Sequence, residues 1–440
     1  MSFNPESLLE PLQRLRAARY WLGLSGGLDS MVLLHALATQ RQALPGELRA
    51  VHVNHGLHPD AKRWQDRCGA ACAALGVPMD VRQVSVQPGV GESLEAVARD
   101  LRYRVFRELL GAGDVLVLAH HQDDQLETFL LQALRGAGAR GLSAMPEETA
   151  FATGRLLRPL LRHTRAELEA WARGQAIRWI DDPSNDDPGF DRNYLRHKVL
   201  PPLRARWPAA AETVSRSARL CAEAAELMDE LARLDWESCG RAEALPLRLL
   251  ESLAAPRARN LLRYWLRQRE LPTPPSHKLE EILRQLPARG DRNPCIDWAG
   301  AEVRRYRRRL YALKPLPAPP SEFVLRPGER CELGGGLGSL SLVSAAGEGI
   351  CADLATPRGL RVAFRNGGES CRPAGQAHHR PLKKWLQDLH VVPWLRGSLP
   401  LLYADDRLLA VAGLFICEPY AARAGEAGLR VDWRQHPSLT

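Results

Sequence analysis

A strand, a glycine turn and the start of a helix follow one another in the segment "YWLGLSGGLDSMVLLHAL" of residues 20–37. The apolar run at residues 20–24 is short and β-prone, which predicts a buried strand. Gly26 and Gly27 lack a Cβ, so the backbone of the turn can approach a ligand closely. The free N–H groups and the positive dipole end of the following helix attract anions. The segment therefore predicts an anion cradle, most often one for phosphate.

The residue order in this turn distinguishes it from two other nucleotide-binding loops. It lacks the Gly-Lys-Ser/Thr ending of a P-loop and the glycine spacing of a dinucleotide fingerprint. The simplest alternative is a plain strand–helix connection with a serine cap, but the whole "SGGLDS" string favours nucleotide binding. It resembles the pyrophosphatase-loop (PP-loop) ATPases, which implies a β,γ-pyrophosphate site and release of AMP and pyrophosphate. The residues assigned to ATP by this resemblance are Ser25, Gly26, Gly27, Leu28, Asp29 and Ser30.

Strand and helix patterns alternate after the turn. Strand-like runs at residues 48–53, 81–86 and 114–119 are separated by helical patterns. One of these, "ESLEAVARDLRYRVFRELL", places Leu94, Val97, Leu101, Val105 and Leu109 on one face. The alternation predicts an α/β fold with a doubly wound parallel sheet of the PP-loop ATPase type. Because ligands bind beyond the carboxyl ends of such strands, we expect "SGGLDS" and "HHQDD" to face one crevice.

The chain length of 440 residues predicts more than one domain. We expect an ATP-binding catalytic domain at residues 1–207, a mainly helical domain at 208–312 and a small mixed α+β domain at 321–440. A two-stranded ribbon that turns at "AGA" is predicted within residues 293–311. The proline-rich stretch "LKPLPAPPSE" is typical of a linker and separates the last two domains.

Charge and cysteine content narrow the function classes. The net charge of +9 favours a polyanionic partner. Nine cysteines occur without a C-x-x-C pair, and Cys68 and Cys72 are better explained as core thiols than as a metal pair. These features predict a reducing, cytoplasmic location. No apolar run is long enough for a membrane span, so no membrane partner is expected, and the oligomeric state stays open.

Carboxylates gather after the fourth predicted strand. A helix over residues 122–134 would bring Asp123 and Asp124 together with Glu127 near the strand end. Such a cluster can hold Mg²⁺ against ATP phosphates or bind a cationic substrate. The alternative is a solvated acidic helix start, which suits the helix dipole by itself. The position beside a nucleotide loop favours a functional role.

Histidines follow two of the predicted strands. His52 and His55 lie in "HVNHGLH", and His120 precedes the carboxylate cluster. A zinc site would need a firmer ligand spacing than these residues show. We expect them to line the nucleotide pocket or to be structural.

A longer series of motifs makes the resemblance specific. The strings "SGGLDS", "HVNHGLH", "HHQDDQLET", "RGAGARGLSAM" and "WIDDPSNDD…DRNYLRHKVLPPL" occur in this order. The series resembles the tRNA(Ile)-lysidine synthetases, a bacterial family of PP-loop ligases. "VRRYRRRLYAL" and "PLKKWLQDLHVVPWLRGSLPLLY" are similar to the family's later domains, so the resemblance covers nearly the whole chain. One position departs from the family pattern, since His58 follows "HGL" where many members carry a residue like Arg.

This resemblance implies a reaction and its participants. ATP would adenylate the C2 oxygen of the wobble cytidine in an isoleucine tRNA with a CAU anticodon. The ε-amine of free L-lysine would then attack C2 and release AMP, forming lysidine. Asp29 is assigned to Mg²⁺ or to orienting phosphates, and Asp124 and Glu127 to the lysine. By its match to the family's Arg-Asn segment, Arg192 would contact lysine or phosphate, with Arg196 as a further site-lining residue.

Basic residues interleave with aromatic ones in the second half of the chain. Several such patches suit phosphate contacts along RNA with rings available for stacking, although each alone is typical of a solvated face. The residues predicted to contact tRNA are Arg304, Arg305, Arg307, Arg380, Lys383 and Lys384.

Three other functions remain open at this point. A PP-loop tRNA thiolase would need a reactive cysteine, and lysidine formation should survive loss of all nine. A PP-loop synthetase that forms amides on small molecules would turn over without tRNA. A non-catalytic nucleotide-binding or RNA-binding module would release no pyrophosphate, because fold alone does not imply activity.

Overall fold

The computed structural model describes residues 3–89, 93–285, 294–355 and 359–439. The chain forms two compact units, which meet in sequence after Met228. Among the helices of the described ranges, none combines the length and apolar character needed to cross a membrane.

The first unit contains a six-stranded sheet with the strand order β3-β2-β1-β4-β6-β5. Its strands are β1 (Arg19–Gly23), β2 (Glu47–Asn54), β3 (Met79–Gln83), β4 (Val115–Val117), β5 (Glu148–Phe151) and β6 (Gly154–Leu157). All neighbours pair in parallel except β5 and β6. The strand order reverses between β1 and β4, so a crevice opens at their carboxyl ends. The predicted doubly wound parallel sheet is confirmed.

Helices pack on both faces of this sheet. The helices of residues 9–237 are α1 (Leu9–Leu15), α2 (Leu28–Thr39), α3 (Ala61–Leu75), α4 (Leu94–Leu109), α5 (Gln122–Leu134), α6 (Ala139–Leu142), α7 (Arg165–Gly174), α8 (Asp191–Tyr194), α9 (Leu200–Arg206) and α10 (Ala210–Glu237). Residues from α2, α3 and α7 share one core with the sheet. On the other face Phe106 of α4 packs with Trp21 and Leu116. A π-helical turn, Leu195–Val199, joins α8 to α9.

The predicted apolar face of α4 is partly buried. Leu94 at its start is 41% exposed, whereas Leu109 at its end packs on the same core as Phe106, which is 2% exposed. Tyr103 and Phe106, which the prediction did not include, add an edge-to-face aromatic pair on this side of the sheet. The third strand also begins two residues earlier than predicted, at Met79.

The second unit begins with a small antiparallel sheet and the helices packed on it. The strands β7 (Leu245–Pro246), β8 (Cys295–Trp298), β9 (Ala301–Tyr306) and β10 (Arg309–Leu313) have the order β7-β10-β9-β8. The helices α11 (Leu247–Ser252), α12 (Ala255–Gln268) and α13 (Ser276–Arg284) surround the buried Trp265. The mainly helical character predicted here is therefore confirmed.

The predicted two-stranded ribbon contains an additional strand. After the turn at "AGA" the chain turns again at Arg307 and Arg308, which have φ values of 46° and 59°. This is a tight hairpin without the glycine or asparagine that normally signals one, so the sequence pattern concealed it. The ribbon's predicted first residue, Asn293, lies outside the described residues.

The C-terminal part of this unit is built from short antiparallel strands and one helix. The strands are β11 (Phe323–Leu325), β12 (Arg330–Glu332), β13 (Ser339–Ala346), β14 (Ile350–Cys351), β15 (Leu360–Phe364), β16 (Ser370–Cys371), β17 (Arg380–Pro381), β18 (Pro400–Ala404), β19 (Arg407–Val411), β20 (Phe415–Ile416) and β21 (Ala427–Arg434), and the helix is α14 (Leu382–Asp388). Two sheets, ordered β11-β15-β18-β19-β20 and β12-β13-β21-β14, enclose one apolar core. The mixed α+β prediction is confirmed, and residues 314–322 carry no regular structure, as expected of a proline-rich linker.

Candidate active site

The turn after β1 is held in shape by two serine hydroxyls. Ser30 Oγ donates to the Gly27 carbonyl at 3.0 Å and accepts from Gly26 N at 3.1 Å. Its remaining acceptor position faces Ser25 Oγ at 3.0 Å, and Ser25 Oγ in turn accepts from Gly27 N at 3.3 Å. A hydroxyl group can donate one hydrogen bond and accept two, so every hydrogen-bonding position of Ser30 Oγ is occupied. These hydrogen bonds therefore hold the turn in its shape without a bound ligand.

The two glycines of the turn have different roles. Gly26 has a φ of 89°, and a Cβ there would lie 2.7 Å from Ile180 Cδ1 and 2.9 Å from Cys68 Sγ. Gly27 has an ordinary φ of −73°. A Cβ on Gly27 would meet nothing closer than Ser25 Oγ at 3.6 Å. Gly26 is thus required by packing, whereas a Cβ at Gly27 would make only ordinary van der Waals contacts with the protein.

A cavity of about 540 Å³ lies directly beside the turn. Its apolar lining includes Met31, Ala71 and Ile177, and Arg67 and Arg178 also border it. The backbone N of Ile180 donates to Gly26 O at 3.0 Å, which fixes this wall to the turn. The volume suits a nucleoside-sized ligand. The sequence did not predict the wall at residues 177–181, because no local motif links it to the distant turn.

The ends of β1 and β4 converge on one cluster of charged side chains, as the sequence predicted. Asp29, in the first turn of α2, places Oδ2 3.5 Å from His121 Nε2. Asp124 Oδ2 accepts from His121 N at 3.0 Å and lies 3.5 Å from Nε2. Asp29 Oδ1 is buried and has no hydrogen-bond partner within the described part of the chain. An oxygen left free in this position is available to a ligand or a cation.

His121 and Asp124 form a buried ion pair. Burial acts to lower the pKa of His121, but the carboxylates of Asp124, Asp29 and Asp123 outweigh it and raise that pKa to about 9. Burial acts to raise the pKa of Asp124, but His121, His120 and Arg192 bring it down to about 2. Both shifts favour the charged forms, the imidazolium and the carboxylate, at neutral pH.

We expect this pair to make stability depend on pH in the alkaline range. The pKa of His121 in the folded protein lies above the ordinary histidine value of 6.5, so its contribution to stability is full below pH 6.5 and is lost as pH rises through about 9. The Asp124 contribution is present above pH 3.8 and is lost as pH falls towards about 2. The melting temperature should therefore decrease between pH 7 and pH 9 in the native protein and less so in His121→Asn. An equal decrease in both proteins, followed by circular dichroism, would contradict the ion pair.

Glu127 is enclosed by two arginines. Its Oε2 accepts from Arg192 Nε at 2.8 Å and its Oε1 accepts from Arg196 Nε at 2.8 Å. Arg196 Nη2 adds a second contact at 2.9 Å, and the Glu127 side chain is only 1% exposed. Arg192 also donates to Thr128 Oγ1 at 3.0 Å. Arg192 in α8 and Arg196 in the π-helical turn are four residues apart, a spacing that places both on one side of the helical segment, and π-helical turns are frequent at functional sites.

This enclosure separates the two carboxylates that the sequence had grouped for lysine binding. Both Glu127 oxygens are engaged by arginine, whereas Asp124 Oδ1 lies 3.7 Å from Arg196 and 4.0 Å from Arg192. Asp124 is thus the less tightly held of the two. Asp124 Oδ1 and Asp29 Oδ1 are therefore carboxylate oxygens without a close cationic partner among the described residues.

Asp123 links helices beside the charged cluster, with Oδ2 3.8 Å from His121 Nδ1, and it stays a predicted site-lining residue. Its Oδ2 accepts from the backbone N of Arg165 at 2.7 Å, and its Oδ1 binds Arg204. It therefore ties α5 to the first turn of α7 and to α9. Adjacent residues at a helix start point in different directions, so Asp123 and Asp124 face different neighbours.

The three predicted histidines lie near the crevice and are neutral. His52 Nδ1 contacts the Leu24 carbonyl at 2.9 Å, which fixes the residue before the turn, and burial lowers its pKa. Burial and the neighbouring Arg102 lower the pKa of His55 to about 4. Burial lowers the pKa of His120 to about 3, and nearby arginines oppose the effect of Asp124. The Nδ1 atoms of His55 and His120 are buried without a partner among the described residues.

Several arginines that no sequence motif predicted lie near these histidines. Arg99 and Arg158 lower the pKa of His120. Arg158 is 7% exposed and donates to the Pro146 carbonyl at 2.8 Å. The string "ARDLRYR", which contains Arg99, could have indicated a residue near the site, because it lies in a helix that starts near the carboxyl edge of the sheet.

The cysteines nearest the turn are unsuited to nucleophilic chemistry. Burial raises the pKa of Cys68 to about 12 and that of Cys72 to about 11. Both side chains are 1% exposed. Reactive cysteines need an accessible, stabilised thiolate, and these two have neither property.

The predicted tRNA-contacting residues differ in their availability. Arg305 is only 5% exposed, so its prediction as a surface contact was wrong; the strand alternation turns it inward. Arg304 is paired with Glu302 at 2.8 Å. Arg380 is paired with Asp388 at 3.0 Å and lies over the Trp385 ring. The exposed members of the set are Arg307, Lys383 and Lys384.

The parallel sheet, the preformed glycine turn and the carboxylates at the neighbouring strand end together define a PP-loop ATP-binding domain. Residues 4–203 match the PP-loop domain family. Residues 245–311 match the TilS substrate binding domain, and residues 360–433 match the TilS substrate C-terminal domain.

Curated relatives match over almost the whole chain. The tRNA(Ile)-lysidine synthase of Coxiella burnetii is 40% identical over 434 residues, which cover 98% of this chain and 96% of the relative. The enzyme of Alkalilimnicola ehrlichii is 42% identical and covers 96% of each chain. That of Shigella flexneri is 40% identical over 96% of this chain and 98% of its own. The protein belongs to the tRNA(Ile)-lysidine synthase family.

Proposed function

We propose that this protein joins the ε-amine of free L-lysine to C2 of the wobble cytidine in an isoleucine tRNA with a CAU anticodon. ATP first adenylates the C2 oxygen and releases pyrophosphate, and lysine then displaces AMP. The observation that carries the proposal is the meeting of the phosphate turn with Asp29 and Asp124 in one crevice. Family membership supports the same reaction class.

The crevice offers separate positions for the parts of ATP. The triphosphate would lie over Gly27 at the N-terminus of α2, where the helix dipole favours negative charge. The adenosine would occupy the cavity beside Gly26 and Ile180. Arg192 and Arg196 would then stabilise the negative charge that develops at the α-phosphate.

The residues present fit Mg²⁺ as the accompanying ion. Mg²⁺ takes one or two protein carboxylates together with phosphate oxygens and water. Asp29 offers a free buried Oδ1, and the described residues contain no group of three or more protein ligands that would hold an ion alone. Asp29 would hold the ion against the phosphates, where it would offset their charge.

Lysine would bind on the other side of the crevice. Asp124 would contact its ammonium group, because its carboxylate is charged and only loosely held by arginine. Glu127 would act as a positioning residue that fixes Arg192 and Arg196. The raised pKa values of Cys68 and Cys72 argue against the thiolase alternative. ATP, free lysine and tRNA occur together in the cytoplasm, which is the proposed location.

The proposal is tested by following the tRNA and the nucleotide products together. With ATP, lysine and the CAU isoleucine tRNA, we expect AMP and pyrophosphate in amounts equal to the tRNA modified. Mass spectrometry of nuclease digests should show the mass of one lysine less one water at the wobble cytidine. The same tRNA with uridine at that position serves as the control and should give no product. A sulfur-sized mass gain, or turnover without tRNA, would refute the proposal.

A further inference from the structure

A second cavity, of about 460 Å³, lies in the second unit. Its walls include Tyr311 of β10 and Trp394, and two arginines, Arg269 and Arg309, border it. We propose that this cavity binds one unpaired nucleotide of the tRNA, with the base against Tyr311 and Trp394 and the phosphate at Arg309. The inference rests on the proposed function, since it assumes a tRNA substrate.

The aromatic wall is rigid. The ring centroids of Tyr311 and Trp394 are 5.0 Å apart with an interplanar angle of 65°, and Tyr306 lies 6.3 Å from Trp394 at 83°. The guanidinium carbon of Arg304 is 5.7 Å from the Trp394 ring centroid. These edge-to-face and cation–π contacts hold both rings in place while they remain half-buried. A fixed aromatic ring at a cavity wall is a stacking platform for a base.

The charges at the cavity favour an anion at one position. Arg269 is neutralised by Glu243, with Nη2 3.1 Å from Oε1, and it also donates to the Ala312 carbonyl at 3.1 Å. Arg309 is exposed, and its guanidinium makes only a long contact of 3.5 Å with the Ala244 carbonyl. No ion pair of Arg309 exists with any residue that the structure describes. Arg309 is therefore the cation free to bind phosphate.

An unpaired nucleotide is the occupant that fits the cavity volume, the aromatic wall and the free arginine together. A cavity of this size encloses a base and its sugar, whereas a paired base inside a duplex cannot enter a concave site. Aromatic walls with one free arginine match a base and its phosphate. An acidic peptide would find Arg309 but would leave the aromatic rings without a planar partner. Tyr311 ends the segment matched by the substrate binding domain, and Trp394 lies in the segment matched by the C-terminal domain.

Substitution at Arg309 tests the phosphate contact without altering the aromatic wall. In filter binding, Arg309→Gln should weaken the affinity for the CAU isoleucine tRNA about tenfold and make binding less salt-dependent. The matched control is Arg407→Gln, because Arg407 is an exposed strand arginine of the same unit without an ion pair among the described residues. Arg407→Gln should keep the native affinity and the native salt dependence. Equal affinities of Arg309→Gln and the native protein would overturn the phosphate site.

The stacking contact needs its own variants. Trp394→Leu should weaken tRNA binding about tenfold or more, and Trp394→Phe should recover part of the loss because a ring is retained. Circular dichroism confirms that each variant is folded. Equal losses in the leucine and phenylalanine variants would indicate a structural role and overturn the stacking.

Ultraviolet crosslinking identifies the occupant. Irradiation of the native protein with the same tRNA, followed by nuclease and protease digestion, should yield peptides that carry an unpaired nucleotide on Tyr311 or Trp394. Adducts that map to a paired nucleotide, or adducts confined to other peptides, would refute the cavity as a nucleotide site. A protein that binds no tRNA in any assay would refute the proposed function and this inference with it. Normal tRNA binding that does not change when Arg309 or Trp394 is substituted would refute only the inference.

Discussion

Gly27→Val is expected to abolish the ATP-dependent release of AMP and pyrophosphate while the protein stays folded. A Cβ at Gly27 would meet no protein atom within 3.4 Å, so the protein accommodates it, but it would take up space over the turn where the proposal places the triphosphate. Its φ of −73° is one that valine adopts without strain. Replacing glycine at the helix N-cap costs only about 1 kcal/mol of stability. We expect at least a hundredfold loss of tRNA-dependent pyrophosphate release.

Two other glycines serve as controls for this result. Gly174→Val adds the same volume at the end of α7, where nothing lies within 4 Å, and should keep normal turnover. Gly26→Val should instead reduce the melting temperature, since its Cβ would meet Ile180 and Cys68. Normal pyrophosphate release by Gly27→Val would show that the triphosphate does not approach the turn.

Asp124→Asn and Glu127→Gln are expected to impair different steps of the reaction, although both carboxylates lie in one turn of α5. Asp124→Asn removes the charge proposed to bind the lysine ammonium. A charge-assisted hydrogen bond contributes roughly 1.5–3 kcal/mol, so the KM for lysine should rise about ten- to hundredfold. Adenylation of the tRNA, measured as pyrophosphate release without lysine, should persist.

Glu127→Gln should mainly affect stability and the adenylation rate. The substitution leaves Arg192 and Arg196, each with a side chain 24% exposed, without their anionic partner. Loss of one partner of a buried ion pair costs about 3–5 kcal/mol, and the partial exposure reduces this to about 2–3 kcal/mol. The double variant Glu127→Gln/Arg196→Gln should recover part of the melting temperature. A rise in the KM for lysine alone, as in Asp124→Asn, would restore Glu127 to the direct lysine contact predicted from the sequence.

Much of the fold could be predicted because it follows from local patterns. Alternating apolar runs and helical periods indicated the parallel sheet, and the glycine turn indicated where its ligand side lies. The predicted helix at residues 122–134 matches α5 in full. These features depend on residues close together in the chain, so a single sequence contains the information.

The site could be predicted only in outline because its contacts join distant residues. Spacing placed Glu127 near Asp124, but it did not show that two arginines some 65 residues away enclose Glu127. It also gave no reason to separate Asp123 from Asp124, since their different directions depend on what packs beside α5. The hairpin at Arg307 and Arg308 was missed because its φ values are positive at residues that rarely signal a turn.

Three carboxylates and three cationic side chains pair with one another in the cluster beside the turn, and this local balance has a consequence for how the substrates cooperate. Asp29, Asp124 and Glu127 are matched by His121, Arg192 and Arg196. A balanced cluster exerts little attraction on a single charged molecule that arrives alone. Under the proposed function, the phosphates of bound ATP would share the positive charge of Arg192 and Arg196, and Asp124 would keep an excess of negative charge that favours an ammonium group. Nucleotide and amino acid would then strengthen each other's binding, so that lysine is retained mainly by a protein already loaded with ATP.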